Sequence, residues 1–224
     1  MHCVIFDLDG TLADTSGDLI AAANATFRGA GLGAPLDPGA DRLTAFHGGR
    51  AMLRLGLSRL GGDWSEADVD AHFPDFVENY GASIDRHTVV YDGVFAALDH
   101  LKAAGAALGV CTNKPEGLAR DLLERLGLAP YFGALLGADS LPVKKPDPEH
   151  LLETIRRLGG ARERAVLIGD TATDRDTARA ANVPCILVAF GPTGRAVAEM
   201  EPEALLEHYD DLPELLAGMN GAAR

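Results

Sequence analysis

The 224-residue chain is 47% hydrophobic, 24% charged and 6% aromatic, the make-up of an ordinary globular protein with material for a sizeable core, and not of a disordered or fibrous one. Its formal net charge of -13 argues against a protein that grips nucleic-acid phosphates through a basic face, so a small molecule is the expected partner. No apolar stretch approaches the roughly 18 residues of a membrane span, and the N-terminus lacks a signal-peptide pattern, so a cytoplasmic protein without a membrane partner is expected.

The chain opens on "CVIF" followed by "DLDGTLADT". A short apolar run bounded by a turn signal reads as a strand from the interior of a sheet, because an edge strand would alternate with polar residues. Asp7 and Asp9 therefore stand where a core strand emerges. Two close carboxylates raise each other's pKa unless a positive charge lies between them, which suggests a metal ion or a catalytic division of labour. A solvated Asp/Gly turn is the other reading of this stretch alone.

From about Ser16 to Ser83 the pattern is helical and no strand is predicted. "SGDLIAAANATFRGAG" starts at Ser16 and stops at glycine, "GGRAMLRLGLSRLGG" is amphipathic between glycines, and "SEADVDAHFPDFVENYGAS" opens on a serine cap. Pro74 is expected to kink or split this last helix. Beyond residue 88 strands and helices alternate: helix "GVFAALDHLKAAG", strand "AALGVCT", helix "PEGLARDLLERLG", short strand "GALLGA", helix "PEHLLETIRRLGG", strand "RAVLIGD", helix "DRDTARAANV" and strand "CILVAF". A final helix is expected in "YDDLPELLAGM". Such alternation implies parallel strands joined by right-handed crossovers, an α/β doubly wound parallel sheet of Rossmann type. The predicted organisation is a core of residues 1–14 and 85–224 interrupted by an all-helical insertion, 15–84, which would lie over the strand ends as a lid. Cys3, Cys111 and Cys185 each fall in an apolar run and read as buried thiols of a reducing compartment.

Four strand ends carry polar groups suited to chemistry. The first has Asp7 and Asp9. The second, "VCTNKP", leaves Thr112 and Asn113 beside a helix N-terminus that attracts anions, with Pro115 at the first helical position. The third is Lys145 in "PVKKPDP", and the fourth is "GDTATD", with Asp170 and Asp174. Each alone can be ordinary turn, cap or surface chemistry. Together they converge on one sheet edge, where binding and catalytic loops concentrate.

The ordered set D-x-D-G-T (Asp7 to Thr11), Thr112-Asn113, Lys145 in "KPDP" and G-D-x-x-x-D (Gly169 to Asp174) resembles the haloacid dehalogenase superfamily of phosphatases over essentially the whole chain. Within it, "YDGVFAALDHLKAAGAALGVCTNKP", "KKPDP", "VAFG" and "DLPELL" look most like phosphoglycolate phosphatases. The resemblance implies a helical cap domain, an aspartyl-phosphate intermediate and Mg2+ as cofactor. It makes Asp7 the nucleophile and Asp9 the general acid and base. Magnesium would be held by the Asp7 carboxylate, the Asp9 backbone carbonyl and Asp170, with Asp174 assisting through water. Thr112 and Lys145 would bind the transferring phosphoryl group of a small phosphorylated metabolite, with Asn113 supporting that loop.

The chemistry agrees. An ionised carboxylate needs no base before attacking phosphorus, provided that repulsion from the phosphate is screened, whereas Asp9 must give a proton to the leaving alcohol and later take one from water, and so is expected to need a higher pKa than its metal-bound neighbour. Rival readings fit less well. An EF-hand loop fails because Leu12 and Asp18 stand where glycine and glutamate are needed, and no P-loop motif occurs. A phosphate-receiving signalling domain needs neither the helical insertion nor Asp9. A true dehalogenase lacks the second acid, and a phosphonatase needs a cap lysine, whereas all four lysines, 102, 114, 144 and 145, lie outside the insertion. β-Phosphoglucomutase, another sugar-phosphate or nucleotide phosphatase, and an inactive phosphoryl-binding module are the alternatives left. In the insertion, Arg50 after a glycine pair is the candidate for contact with the leaving group.

Overall fold

The computed structural model describes residues 3–221. The strands are β1 (Cys3–Phe6), β2 (Ala13–Asp14), β3 (Val89–Val90), β4 (Ala107–Cys111), β5 (Ala134–Leu136), β6 (Ala165–Gly169), β7 (Cys185–Val188) and β8 (Ala204–Leu206). Every residue of β1, β4, β6 and β7 is buried, which is why these segments read as uninterrupted apolar runs: they are covered on both faces. They form a six-stranded sheet of order β5-β4-β1-β6-β7-β8 in which every pairing is parallel.

The register positions the site. Phe6 of β1 lies level with Val110 of β4 on one side and Ile168 of β6 on the other, so the residues that follow all three strands leave at one edge. The chain places β4 and β5 on one side of β1 and then crosses to place β6, β7 and β8 on the other. The order therefore reverses at β1, and in open parallel sheets ligands bind at the carboxyl ends beside such a reversal.

Two compact units divide the chain, one built from residues up to Ala13 and from Val90 onward, the other from Asp14–Val89. The first holds the sheet and helices α5 (Val94–Ala103), α6 (Glu116–Arg125), α7 (Pro148–Arg157), α8 (Ala172–Ala181) and α9 (Leu212–Gly221). The second is helical: α1 (Ser16–Gly29), α2 (Arg42–Ala45), α3 (Gly49–Leu60) and α4 (Glu66–Ala82). Its core holds Phe27, Met52, Leu53, Val69, Phe76, Tyr80 and Ile84. Its two ends are tied together by Asp18, whose carboxylate accepts the backbone N–H groups of His87, at 2.9 Å, and Thr88, at 2.8 Å. None of the described helices is long and apolar enough to cross a membrane.

Three local expectations need correction. Pro74 does not split α4, which runs unbroken from Glu66 to Ala82. Proline deprives the carbonyl four residues earlier of its partner, but here that carbonyl belongs to the exposed Asp70, where water can serve. Pro115 is the residue before the first turn of α6 and not its first helical residue, with φ -51° and ψ 137°. The edge strand β8 and the short helix α2 escaped the sequence pattern, since three or four residues carry too little periodicity to register.

Candidate active site

Asp7 follows β1 directly. Its Oδ1 accepts the Leu8 backbone N–H at 2.7 Å and stands 3.1 Å from the Lys145 ammonium. Both contacts fall on one oxygen, and the other takes neither. The loop turns back at once: Gly10, at φ 83°, donates its N–H to the Ala13 carbonyl at 2.9 Å, a left-handed conformation that glycine adopts without a side-chain penalty. Thr11 then reaches across to β6, its hydroxyl donating to Asp170 Oδ1 at 3.0 Å.

Asp170 is fully buried, and its Oδ2 has no hydrogen-bond partner. A buried carboxylate oxygen without a donor is costly, so the group calls for either a proton or a cation. Burial lifts its pKa well above the ordinary carboxylate value, and the charges of Asp174 and Asp7 push in the same direction. Asp7 is pushed up to about 6, first by burial and then by Asp174 and Asp9, against the pull of Lys145. Oxygens of Asp7, Asp170 and Asp174 lie within 4.8 Å of one another. A compact set of hard oxygen donors with one orphaned atom fits a divalent cation.

Asp174 has another occupation. Its Oδ2 accepts from the Asp170 N–H at 3.3 Å and from the Thr171 N–H and hydroxyl at 3.1 and 2.7 Å, forming the capping box of α8. Its Oδ1 holds Lys145 Nζ at 2.6 Å. Gly169 makes this possible, because a Cβ there would lie 2.4 Å from the Asp174 carboxyl carbon. Asp174 thus anchors the lysine, which lies 29 positions away in sequence. Between the two carboxylates Lys145 stays charged in spite of its burial.

At the end of β4, Thr112 is buried and its hydroxyl accepts the Lys114 backbone N–H at 3.2 Å. The Asn113 amide donates to the Lys145 backbone carbonyl at 2.9 Å, joining the end of β4 to the loop between β5 and α7. Behind them the Cys111 thiol lies 3.4 Å from His150 Nδ1, while His150 Nε2 lies 2.9 Å from the Gly137 carbonyl. A carbonyl can only accept, so Nε2 carries the proton and Nδ1 receives the thiol's. All three cysteines are free and buried, and burial pushes Cys111 up to about 12, which leaves it an inert thiol.

The model of the family described as haloacid dehalogenase-like hydrolase matches residues 4–188, a span that takes in all four strand ends. The chain belongs to the haloacid dehalogenase-like hydrolases. Phosphoglycolate phosphatases of Mesorhizobium japonicum and Agrobacterium fabrum are each 40% identical over 214 residues. These alignments cover 96% of this chain and 94% of the Mesorhizobium protein, and 95% of this chain and 91% of the Agrobacterium one. The fold is shared with a predicted phosphoglycolate phosphatase from Haemophilus somnus, at TM-score 0.82 and 23% identity, over 96% of this chain and 97% of that one.

Within this haloacid dehalogenase-like hydrolase, three side chains at the site escaped the sequence reading of roles. Lys114 is buried and donates to both oxygens of Asp9, at 2.7 and 2.9 Å. Thr11 steers Asp170, and the Tyr209 hydroxyl donates to the Thr11 carbonyl. Lys114 stood in plain view inside "TNKP", but nothing local shows that its ammonium turns toward β1. Arg50 lies in the helical unit, where it donates to Asp70 at 2.6 Å and covers the Phe73 ring at 4.5 Å.

Proposed function

We propose that this hydrolase is a magnesium-dependent phosphatase that converts 2-phosphoglycolate to glycolate and phosphate through an aspartyl-phosphate intermediate. The observation that carries the reading is the placement of Asp7 at the carboxyl end of β1, 3.1 Å from Lys145 and with a carboxylate oxygen within 4.8 Å of those of Asp170, whose Oδ2 has no partner, and Asp174. The names of the 40%-identical relatives supply the substrate.

Asp7 attacks phosphorus through its carboxylate, and the bond from phosphorus to the ester oxygen breaks. Asp9 delivers a proton to the departing alkoxide, releasing glycolate. It then takes a proton from water as that water attacks the aspartyl phosphate, so that Asp7 is restored and inorganic phosphate leaves. Lys145, held by Asp174, and Thr112 bind the transferring phosphoryl group. Asn113 keeps the Lys145 segment in place through its carbonyl.

The cation would be held by the carboxylates of Asp7 and Asp170 and by the backbone carbonyl of Asp9. With both oxygens of Asp174 already taken, this residue contributes from behind, through Lys145 and through water. Magnesium, when bound, screens the repulsion between the Asp7 carboxylate and the substrate phosphate. The helical unit, Asp14–Val89, is assigned the part of the cap.

Phosphate release with magnesium over 2-phosphoglycolate, sugar phosphates, nucleotides and pyrophosphate tests the reading. A clear preference for 2-phosphoglycolate is expected. Conversion of β-glucose 1-phosphate to the 6-phosphate would replace it by a mutase, and a flat response to all of them by a binding module.

A further inference from the structure

We infer that Lys114 is the residue that selects the leaving group: its ammonium binds the carboxylate that the substrate carries beside its ester oxygen. The inference rests on the phosphoglycolate reading above and deepens it.

The chain has four lysines in 224 residues, and two of them, Lys102 and Lys144, are exposed. The other two are buried at the same sheet edge, after β4 and between β5 and α7. Lys145 is flanked by Asp7 and Asp174 on the phosphoryl side. Lys114 lies against Asp9, touching both its oxygens, and while the lysine side chain is 3% exposed that of Asp9 is 20% exposed. The ion pair therefore backs onto the protein and opens at its aspartate end.

Stability alone is a weak reason for a lysine here. A buried ion pair is commonly no more stabilising than well-packed apolar side chains of the same shape, so a cation kept at such a position points to a ligand. The substrate's geometry supplies one. If Asp9 protonates the ester oxygen, it lies in hydrogen-bond contact with that atom, and in 2-phosphoglycolate a single methylene separates the ester oxygen from the carboxyl carbon. A cation already touching Asp9 is then within reach of the substrate carboxylate.

Charge leads to the same residue. Asp7, Asp9, Asp170 and Asp174 stand at this strand edge in a protein of net charge -13, and a carboxylate arriving with the phosphate is repelled by all four. Lys145 stands beside Asp7 and is assigned to the phosphoryl group, so Lys114, beside Asp9, is the lysine placed to receive the carboxylate.

The experiment uses the full chain with magnesium and compares 2-phosphoglycolate with ethyl phosphate, in which a methyl group replaces the carboxylate. Wild type is expected to prefer 2-phosphoglycolate in kcat/KM. Lys114→Met should lower that preference by about 10- to 100-fold, the range of a charge-assisted hydrogen bond, with the change concentrated in KM. Lys114→Arg should retain most of it. Because each variant is compared with itself on two substrates, a reduced folded fraction cancels, and Lys114→Gln supplies the same ratio if the methionine variant does not fold. An equal loss on both substrates would reduce Lys114 to an anchor for Asp9 and overturn the inference, as would no loss on either. A wild type that hydrolyses sugar phosphates or nucleotides but not 2-phosphoglycolate would instead overturn the function reading, and this inference with it.

Discussion

The hydroxyl of Tyr209 donates a 2.8 Å hydrogen bond to the backbone carbonyl of Thr11, joining the segment before the last helix to the loop that carries Asp7 and Asp9, across 198 positions of sequence. Tyr209 is fully buried, its ring lies 5.4 Å from that of Phe190, and Phe190 in turn lies 5.0 Å from Tyr91. Thr11 uses its carbonyl for Tyr209 and its hydroxyl for Asp170, so the tyrosine stands one step behind the acidic cluster.

Tyr209→Phe keeps the ring and removes the donor. The Thr11 carbonyl loses its buried partner, and unfolding stability should fall by about 1 to 2 kcal/mol. Divalent-cation affinity should fall with it, because Thr11 no longer holds Asp170 as firmly. A urea midpoint together with a manganese titration reads both, and an unchanged cation affinity would confine Tyr209 to packing.

Asp170 and Asp174 sit four residues apart but should fail in opposite ways. Asp174→Asn weakens the hold on Lys145 and the cap of α8; Lys145 keeps Asp7, so the loss should lie toward the lower end of the ~3 to 5 kcal/mol that a broken buried pair costs. Asp170→Asn removes a buried charge that repels Asp7 and Asp174, and should leave the metal-free protein as stable as wild type or more so. It should also abolish the rise in Tm that magnesium gives wild type. Thermal melts with and without the cation distinguish the two.

Acid titration of the metal-free protein should show the same strain. Burial raises the Asp7 carboxyl to about 6 in the folded state, above the ordinary aspartate value near 3.8. The folded protein therefore holds this proton more tightly than the unfolded chain, and the associated stability is full below about pH 4 and is lost as pH rises through 6. Asp170, also raised by burial, adds to the slope in the same direction. The proposed magnesium would bind the deprotonated carboxylates, so its addition should flatten or reverse the decline and release protons. A metal-free stability that climbs between pH 4 and 6, once other groups are accounted for by Asp7→Asn, would contradict this.

Asp7→Asn should lower turnover of 2-phosphoglycolate and of p-nitrophenyl phosphate by about 10³-fold or more, since the proposed nucleophile is removed. The fold should persist, because Lys145 retains Asp174. Circular dichroism and phosphate release on one preparation check both halves, and retained activity would take the nucleophile's role from Asp7.

The parallel sheet, the alternation of its strands and helices, and the polar groups that follow β1, β4 and β6 were legible in the linear chain, whereas Lys145 comes to this edge from the loop before α7 and not from the end of β5. Apolar runs with polar caps are local patterns, and a buried parallel strand needs no partner to be recognised. The same locality explains the misses: the three residues of β8 and the four of α2 are too short for a period to show, and Pro74 is tolerated in α4 because the carbonyl it strands faces water, a matter of exposure that no propensity encodes.

What the sequence alone determined is which chemical groups gather at this sheet edge, because Asp7, Thr112 and Asp170 each follow a strand whose burial is written in its own residues. Only the tertiary structure decided how those groups divide their work. Asp174 is engaged by Lys145 and by the cap of α8, Asp170 is left with a bare oxygen, Lys114 turns to Asp9, and Tyr209 returns from the far end of the chain to Thr11. The reason is physical: a hydrogen bond or an ion pair is fixed by side-chain direction and by competition among neighbours, and both exist only once distant segments have packed together.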